Sequence, residues 1–240
     1  MEDISERPSV PEATPLYYCA ACDLRSLTEY LAVIHPNDVN TRDGYIWAPL
    51  YAAVEKGHLD VARVLLEHGA YVNFTSYSSW TPLHHASSRR GSDAMLLLLL
   101  EHGADVDSID NHGQTPLHLA CEIGRLNAVQ LLVVFGADVN KRTIRAVNDS
   151  TPLHQAVLSG NVEVVRLLLE LGANVNGWDD GGRTALHFAS DRFGGNFEIT
   201  LALLKCGADV NARDKLNMAP LDLALNNGYH DIVQLLLSMV

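Results

Sequence analysis

The chain has 240 residues, of which 48% are hydrophobic, and a mean hydropathy of +0.03, an ordinary composition for folded protein that excludes disorder throughout. Against 17 basic residues stand 29 acidic ones, and the resulting net charge of −12 repels nucleic-acid phosphates and anionic lipid headgroups alike, so neither is expected as a partner. The longest apolar run, Ala94 to Leu100, is far short of the roughly 20 residues a membrane-spanning helix needs. Four cysteines are too few for a disulfide scaffold and fit a reducing interior, the cytoplasm first and the nucleus as the alternative.

Residues 1–13 carry Glu2, Asp3, Glu6, Pro8 and Pro11 without an apolar segment, so they read as a mobile tail and neither as a secretory signal nor as an Arg-rich transit peptide. From Thr14 onward the sequence repeats itself. Thr14-Pro15-Leu16-Tyr17 returns as Ala48-Pro49-Leu50-Tyr51, Thr81-Pro82-Leu83-His84, Thr115-Pro116-Leu117-His118, Thr151-Pro152-Leu153-His154, Thr184-Ala185-Leu186-His187 and Ala219-Pro220-Leu221-Asp222. The spacings are 34, 33, 34, 36, 33 and 35 residues. A second signature keeps step with the first: Gly69-Ala70-Tyr71-Val72-Asn73, Gly103-Ala104-Asp105-Val106-Asp107, Gly136-Ala137-Asp138-Val139-Asn140, Gly172-Ala173-Asn174-Val175-Asn176 and Gly207-Ala208-Asp209-Val210-Asn211. A fixed period of this length is the mark of a repeat architecture.

Each unit has a local physical logic. The Thr offers a helix N-cap hydroxyl, and the Pro after it sits where its missing N–H costs nothing. The first helix then runs through a small residue (Ala86, Ala120, Ala156, Ala189, Ala224) and stops near a glycine suited to a left-handed C-terminus (Gly57, Gly91, Gly124, Gly160, Gly228). A second helix follows, with an apolar stripe such as Val162, Val165, Leu168 and Leu169. The Gly of the second signature ends it, and the residues up to the next Thr form an extended finger.

The Thr-Pro-Leu-His motif at a period near 33, closed by Gly-Ala-Asp-Val-Asn, resembles the ankyrin repeat over Thr14 to Val240. The resemblance implies a mainly α fold, a solenoid of helix-turn-helix units joined by β-hairpin-like fingers. One array of about seven units is expected over residues 14–240, with starts at 14, 48, 81, 115, 151, 184 and 219. Such units bury their apolar faces only by stacking, which leaves a concave wall open to solvent.

Several places depart from the pattern. In the first unit Cys22 replaces the expected Gly and His35-Pro36-Asn37-Asp38-Val39-Asn40 replaces the closing motif, which reads as an N-terminal cap. The finger holding Lys141, Arg142 and Arg145 is longer than its neighbours and is expected to project, and a local bulge is expected around Arg192-Phe193-Gly194. The last unit lacks a polar outer face, so its end is expected to be covered by self-association or by sequence outside this chain.

No phosphate-binding loop, nucleophile elbow or His-Glu-x-x-His motif occurs, and no enzyme activity, cofactor or metal is expected. His84, His118, His154 and His187 recur once per unit, so they are spread along the array and bond locally, as in ankyrin-like repeats. Cys19-Ala20-Ala21-Cys22 has redox or zinc spacing, but Cys19 falls at the small first-helix position and no second pair exists.

In ankyrin-like repeats partners are gripped by finger residues and by the ends of the first helices. Carried onto this chain, the finger positions are Tyr45, Trp47, Tyr77, Trp80, His112, Gln114 and Arg183. The helix ends are Arg89, Arg90, Glu122, Ile123, Leu158 and Asp191. Large aromatics and arginines are the residues that most often carry interface energy, so Trp47 and Trp80 with Tyr45 and Tyr77 are the expected hot spot, against the alternative that the tryptophans pack between fingers. The expected function is a protein-protein interaction module or adaptor. The alternative is a detached sensor or scaffold appendage of a larger signalling protein, loosely similar to the arrays of fungal NACHT-ankyrin proteins.

Overall fold

The structure is a computed structural model, and it describes residues 13–42, 48–76, 78–88, 91–143, 149–191 and 195–239. These residues form fourteen α-helices: α1 (Pro15–Ala21), α2 (Arg25–Ile34), α3 (Pro49–Lys56), α4 (Leu59–Glu67), α5 (Pro82–Ser87), α6 (Asp93–Glu101), α7 (Pro116–Glu122), α8 (Leu126–Val134), α9 (Pro152–Leu158), α10 (Val162–Glu170), α11 (Ala185–Ser190), α12 (Phe197–Lys205), α13 (Pro220–Asn227) and α14 (His230–Leu237). A short 3₁₀ helix (Pro36–Asn40) follows α2. Among the described residues strand pairing is confined to an isolated antiparallel bridge between Trp178 and Thr184, and the fingers are turns closed by short backbone bonds, such as those from the Asp110 and Asp214 N–H groups to the Gln114 and Met218 carbonyls at 3.0 Å each.

The helices fall into two compact units, residues 1–86 with 90–105 and residues 106–240 with 87–89. In the first, α1 packs on α3, and α2, α4 and α6 follow one another. In the second, the first helices of successive repeats form one row, α7, α9, α11 and α13, and the second helices form another, α8, α10, α12 and α14. The core lies between the rows: Leu117, Leu153, Leu186, Leu132, Leu168 and Leu203 are fully buried, as are the small residues Ala120, Ala156, Ala189 and Ala224 that let the helices approach. The buried stripe of α10 is Val164, Val165 and Leu168, rotated from the expected one; Val162 and Leu169 are only half-buried. The cause is the stacking, because α10 has α8 on one side and α12 on the other and so buries a residue toward each.

The glycines at the ends of first helices serve two purposes. Gly57, Gly124, Gly160 and Gly228 take the expected left-handed conformation, with φ of 71–78°. Gly91 does not: a Cβ there would sit on the backbone of Ala86, so its role is close approach. In the first unit the left-handed residue is Asp23, at φ 59°, following Cys22. The expected bulge at 192–194 and the tail before Ala13 lie outside the described residues.

Between repeats, the last residue of the closing motif ties one finger to the next. Asn140 Nδ2 donates to the Gly172 carbonyl at 3.3 Å while its Oδ1 accepts the Asn174 N–H at 2.7 Å, and Asn176 repeats the pair on Gly207 (3.1 Å) and Asp209 (2.8 Å). Asn40 does the same to Gly69 and Tyr71 in the first unit. Asp107 stands at this position too; it accepts the Asp138 N–H at 3.2 Å, but a carboxylate has no hydrogen to offer a carbonyl.

Candidate partner-binding face

The repeated histidines set the geometry of this face. In each Thr-Pro-Leu-His or Thr-Ala-Leu-His motif the imidazole Nδ1 accepts the backbone N–H of the Thr, at 3.0–3.2 Å for His84, His118, His154 and His187, and lies 2.8–2.9 Å from the Thr hydroxyl. Since Nδ1 accepts, the ring hydrogen is on Nε2. In the second unit that Nε2–H reaches into the next repeat and donates to a carbonyl: His118 to Ser150 at 3.2 Å, His154 to Arg183 at 3.2 Å and His187 to Met218 at 3.1 Å. Each acceptor is the residue directly before the Thr or Ala that caps a first helix. The histidines therefore hold the finger backbone directly before the caps, and one of these three acceptors, Arg183, is among the residues expected to contact a partner. Burial pushes the imidazole pKa of His118 and His154 down to about 4 against the raising effect of those carbonyls, and burial lowers that of His187 as well.

A second device, missed in the sequence, fixes the finger tips. Asp110 Oδ1 accepts the N–H groups of His112 (2.8 Å) and Gln114 (2.9 Å), Asp179 Oδ1 accepts that of Arg183 (2.8 Å), and Asp214 Oδ1 accepts those of Leu216 and Met218 (2.9 Å each). Each acid stands five residues before the cap residue, and each turn has a left-handed residue two before the cap: Gly113, Gly182 or Asn217. Asp followed at that spacing by Gly or Asn was the available signal.

On this frame the predicted residues of the second unit divide. His112, Glu122 and Leu158 are exposed, and Gln114 and Ile123 are half-buried. Arg183 and Asp191, chosen separately, are brought together: Nη2 of Arg183 lies 2.7 Å from Oδ2 of Asp191, and the guanidinium stacks over the Phe188 ring at 4.3 Å. Asn227 Nδ2 adds a donor to the same carboxylate at 3.3 Å. Phe188 and Asn227 belong to this cluster but were not anticipated, because their direction depends on how α11 and α13 stack.

Of the expected aromatic hot spot, Tyr45, Trp47 and Tyr77 lie outside the described residues, as do Arg89 and Arg90. Trp80, in the first unit, is half-buried, stacks on His84 with ring centroids 6.3 Å apart, and meets His85 edge-on at 5.6 Å. That arrangement supports packing at Trp80. Trp80→Ala is expected to cost about 2 kcal/mol, below the range for fully buried aromatics because part of the ring is already in water; a denaturant midpoint unchanged from wild type would show that the ring is free for a partner. Phe74 of the first unit packs against the exposed Tyr71 and under the Arg42 guanidinium.

The finger expected to project is closed at its base by bonds between Thr143 and Ser150 in both directions, 2.9 Å each. Arg142 does not stand free: it stacks on the exposed Trp178 at 4.7 Å and pairs with Asp180 at 3.4 Å and Asp149 at 3.8 Å. Arg145 lies outside the described residues. A cleft of about 370 Å³ opens elsewhere, between α10 and α12, where Ala202 takes the place held by Leu167 one repeat earlier. Cys19 of the Cys-x-x-Cys pair is buried and its thiol pKa raised, first by burial and then by the nearby Cys22.

Ankyrin repeat family models match residues 73–143 and 141–214 in the three-copy form and 50–92 in the many-copy form. The chain belongs to the ankyrin repeat family. Among solved structures it is similar to the ankyrin repeat domain of Bcl-3, described as a unique member of the IkappaB protein family, with a TM-score of 0.82 and 30% identity over 92% of this chain and 98% of that one. The human ASB11 ankyrin repeat domain is similar with a TM-score of 0.76 and 28% identity, covering 95% of this chain and 98% of that one. Glycerophosphocholine phosphodiesterase GDE1 of Candida albicans is 29% identical over 85 residues, 35% of this chain but 7% of that protein. The matched segments make up a tenth or less of the length of the curated relatives. Among the described residues no helix is long and apolar enough to cross a membrane.

Proposed function

We propose that this chain is a non-catalytic interaction module that holds a partner protein on the face built from its fingers and the ends of its first helices. The observation that carries this reading is a division of labour in the second unit. The backbone before the first helices is fixed by buried histidines at α9, α11 and α13 and by finger aspartates at α7, α11 and α13, whereas the side chains of Glu122, Leu158 and His112 reach solvent from that fixed frame. A rigid frame with free side chains lowers the ordering cost of binding. The net charge of −12 favours a partner with basic character. Four free cysteines support a reducing compartment, the cytoplasm in the first instance.

The test is affinity capture with wild type beside a Glu122→Ala, Leu158→Ala, Arg183→Ala variant. The expected result is loss of a specific captured protein with about tenfold or greater weakening, since hot-spot truncations cost on the order of 2 kcal/mol. Capture of the same protein at full strength by a folded variant would overturn the reading.

A further inference from the structure

In five of the six second helices that follow α2, the sixth residue after the N-cap is a large aliphatic one: Val64, Leu98, Leu131, Leu167 and Leu235. In α12 it is Ala202. The side-chain volume missing at Ala202 opens the cleft of about 370 Å³ between α10 and α12. Its walls are two ridges at helical spacing, Arg166, Leu169 and Glu170 on α10 and Glu198, Leu201, Ala202 and Lys205 on α12. The apolar members, Leu169, Leu201 and Ala202, are half-buried, so each still shows surface to water. Toward the N-terminal ends of the two helices Arg166 reaches across to Glu198 at 3.1 Å and bounds the cleft. At the C-terminal ends stand the last residues of the helices, Glu170 and Lys205, both exposed and neither in an ion pair among the described residues.

A groove between two helix ridges accepts the ridge of a third helix. We infer that this cleft docks an amphipathic helix of a partner protein, which inserts one leucine-sized side chain into the place Ala202 leaves and brings a basic residue to Glu170 and an acidic residue to Lys205. The charges set this chemistry, because an unpaired carboxylate on one wall and an unpaired ammonium on the other call for the opposite pair on the occupant. Glu170 ends α10, where the helix dipole already disfavours a carboxylate, so a cation brought to it is favoured on both counts. An apolar floor between charged rims suits an aliphatic side chain with charged neighbours, the pattern of one face of an amphipathic helix. The cleft lies on the row of second helices, across the core from the first helices, so the inference is independent of the partner-binding face proposed above.

A phage-displayed library of random helical peptides, panned on the whole chain, supplies the probes. Ala202→Leu, which restores the residue of the neighbouring repeats, fills the cleft, and a thermal midpoint at or above that of wild type confirms that this variant is folded. The enriched peptides are expected to share a large aliphatic residue with a basic and an acidic residue within about one helical turn of it. They are expected to bind Ala202→Leu at least about tenfold more weakly than wild type. Exchanging the charges, Glu170→Lys with Lys205→Glu, is expected to weaken the same peptides, and peptides with their own two charges exchanged are expected to recover. Cys206 lines the cleft and is exposed, as is Cys22 in the first unit. Bound peptide is therefore expected to slow alkylation of Cys206 and leave that of Cys22 unchanged. No enrichment, equal affinity for wild type and Ala202→Leu, unprotected Cys206, or enriched peptides without the paired charges would each overturn the inference. Self-association of wild type that is lost in Ala202→Leu would overturn it too, by making a second copy of this chain the occupant.

Discussion

Lowering the pH from about 6.5 to about 4 is expected to remove several kcal/mol of stability from the second unit, even though no partner or ligand is involved. His118 and His154 are each held neutral by burial, with pKa values of about 4 in the fold. In the unfolded chain they titrate near 6.5. Between those values the unfolded chain takes up protons that the folded chain refuses, so unfolding becomes easier as pH falls. The stabilisation is complete above about 6.5 and is lost as pH drops toward about 4, with a slope approaching about 3 kcal/mol per pH unit for two such groups. His187 acts in the same direction. Protonation would also place a hydrogen on Nδ1, where the Thr N–H already points, and break the cap. Urea midpoints taken across this window should fall steeply, and replacing His118 by Gln should flatten the slope by about one proton; a flat profile for wild type would contradict the neutral assignment.

The second large effect comes from the core. Leu168 and Leu236 occupy the same position in their repeats and are almost completely buried. Their neighbourhoods differ: α10 is packed between α8 and α12, whereas α14 packs on α12 alone among the second helices. Leu168→Ala is expected to cost about 3–4 kcal/mol and Leu236→Ala about 2 kcal/mol, because a cavity open on one side can collapse and a cavity between two packed helices cannot. Chemical denaturation of the two variants side by side checks this. Equal losses would mean that the last repeat is as well supported as an interior one.

The period, the N-capping threonines and the buried alanines were legible in the sequence because each is a local demand repeated in register. Stacking was not local, and that is where the reading fell short. Val164 is buried because α8 and α12 flank its helix, which a single-helix stripe does not reveal. Arg183 and Asp191 looked like two independent contacts eight residues apart, and only the path of α11 brings them to 2.7 Å. Trp80 stood between partner contact and packing, because its direction depends on neighbours that the motif does not name; in the structure its ring lies against His84 and His85. Asp110, Asp179 and Asp214 were overlooked for a different reason. Their spacing was visible, but acids scattered one per unit read as solvated surface until the tips they hold are seen.

The bond from each histidine to the carbonyl before the next cap is made to backbone, not to side chain. Ser150, Arg183 and Met218 accept it equally well, although one is a hydroxyl, one a cation and one a thioether. This bond therefore sets no requirement on the side chain at these places. What constrains them is their own packing: Ser150 is buried with its hydroxyl taken by Gln155, and Arg183 is held between Asp191 and the Phe188 ring.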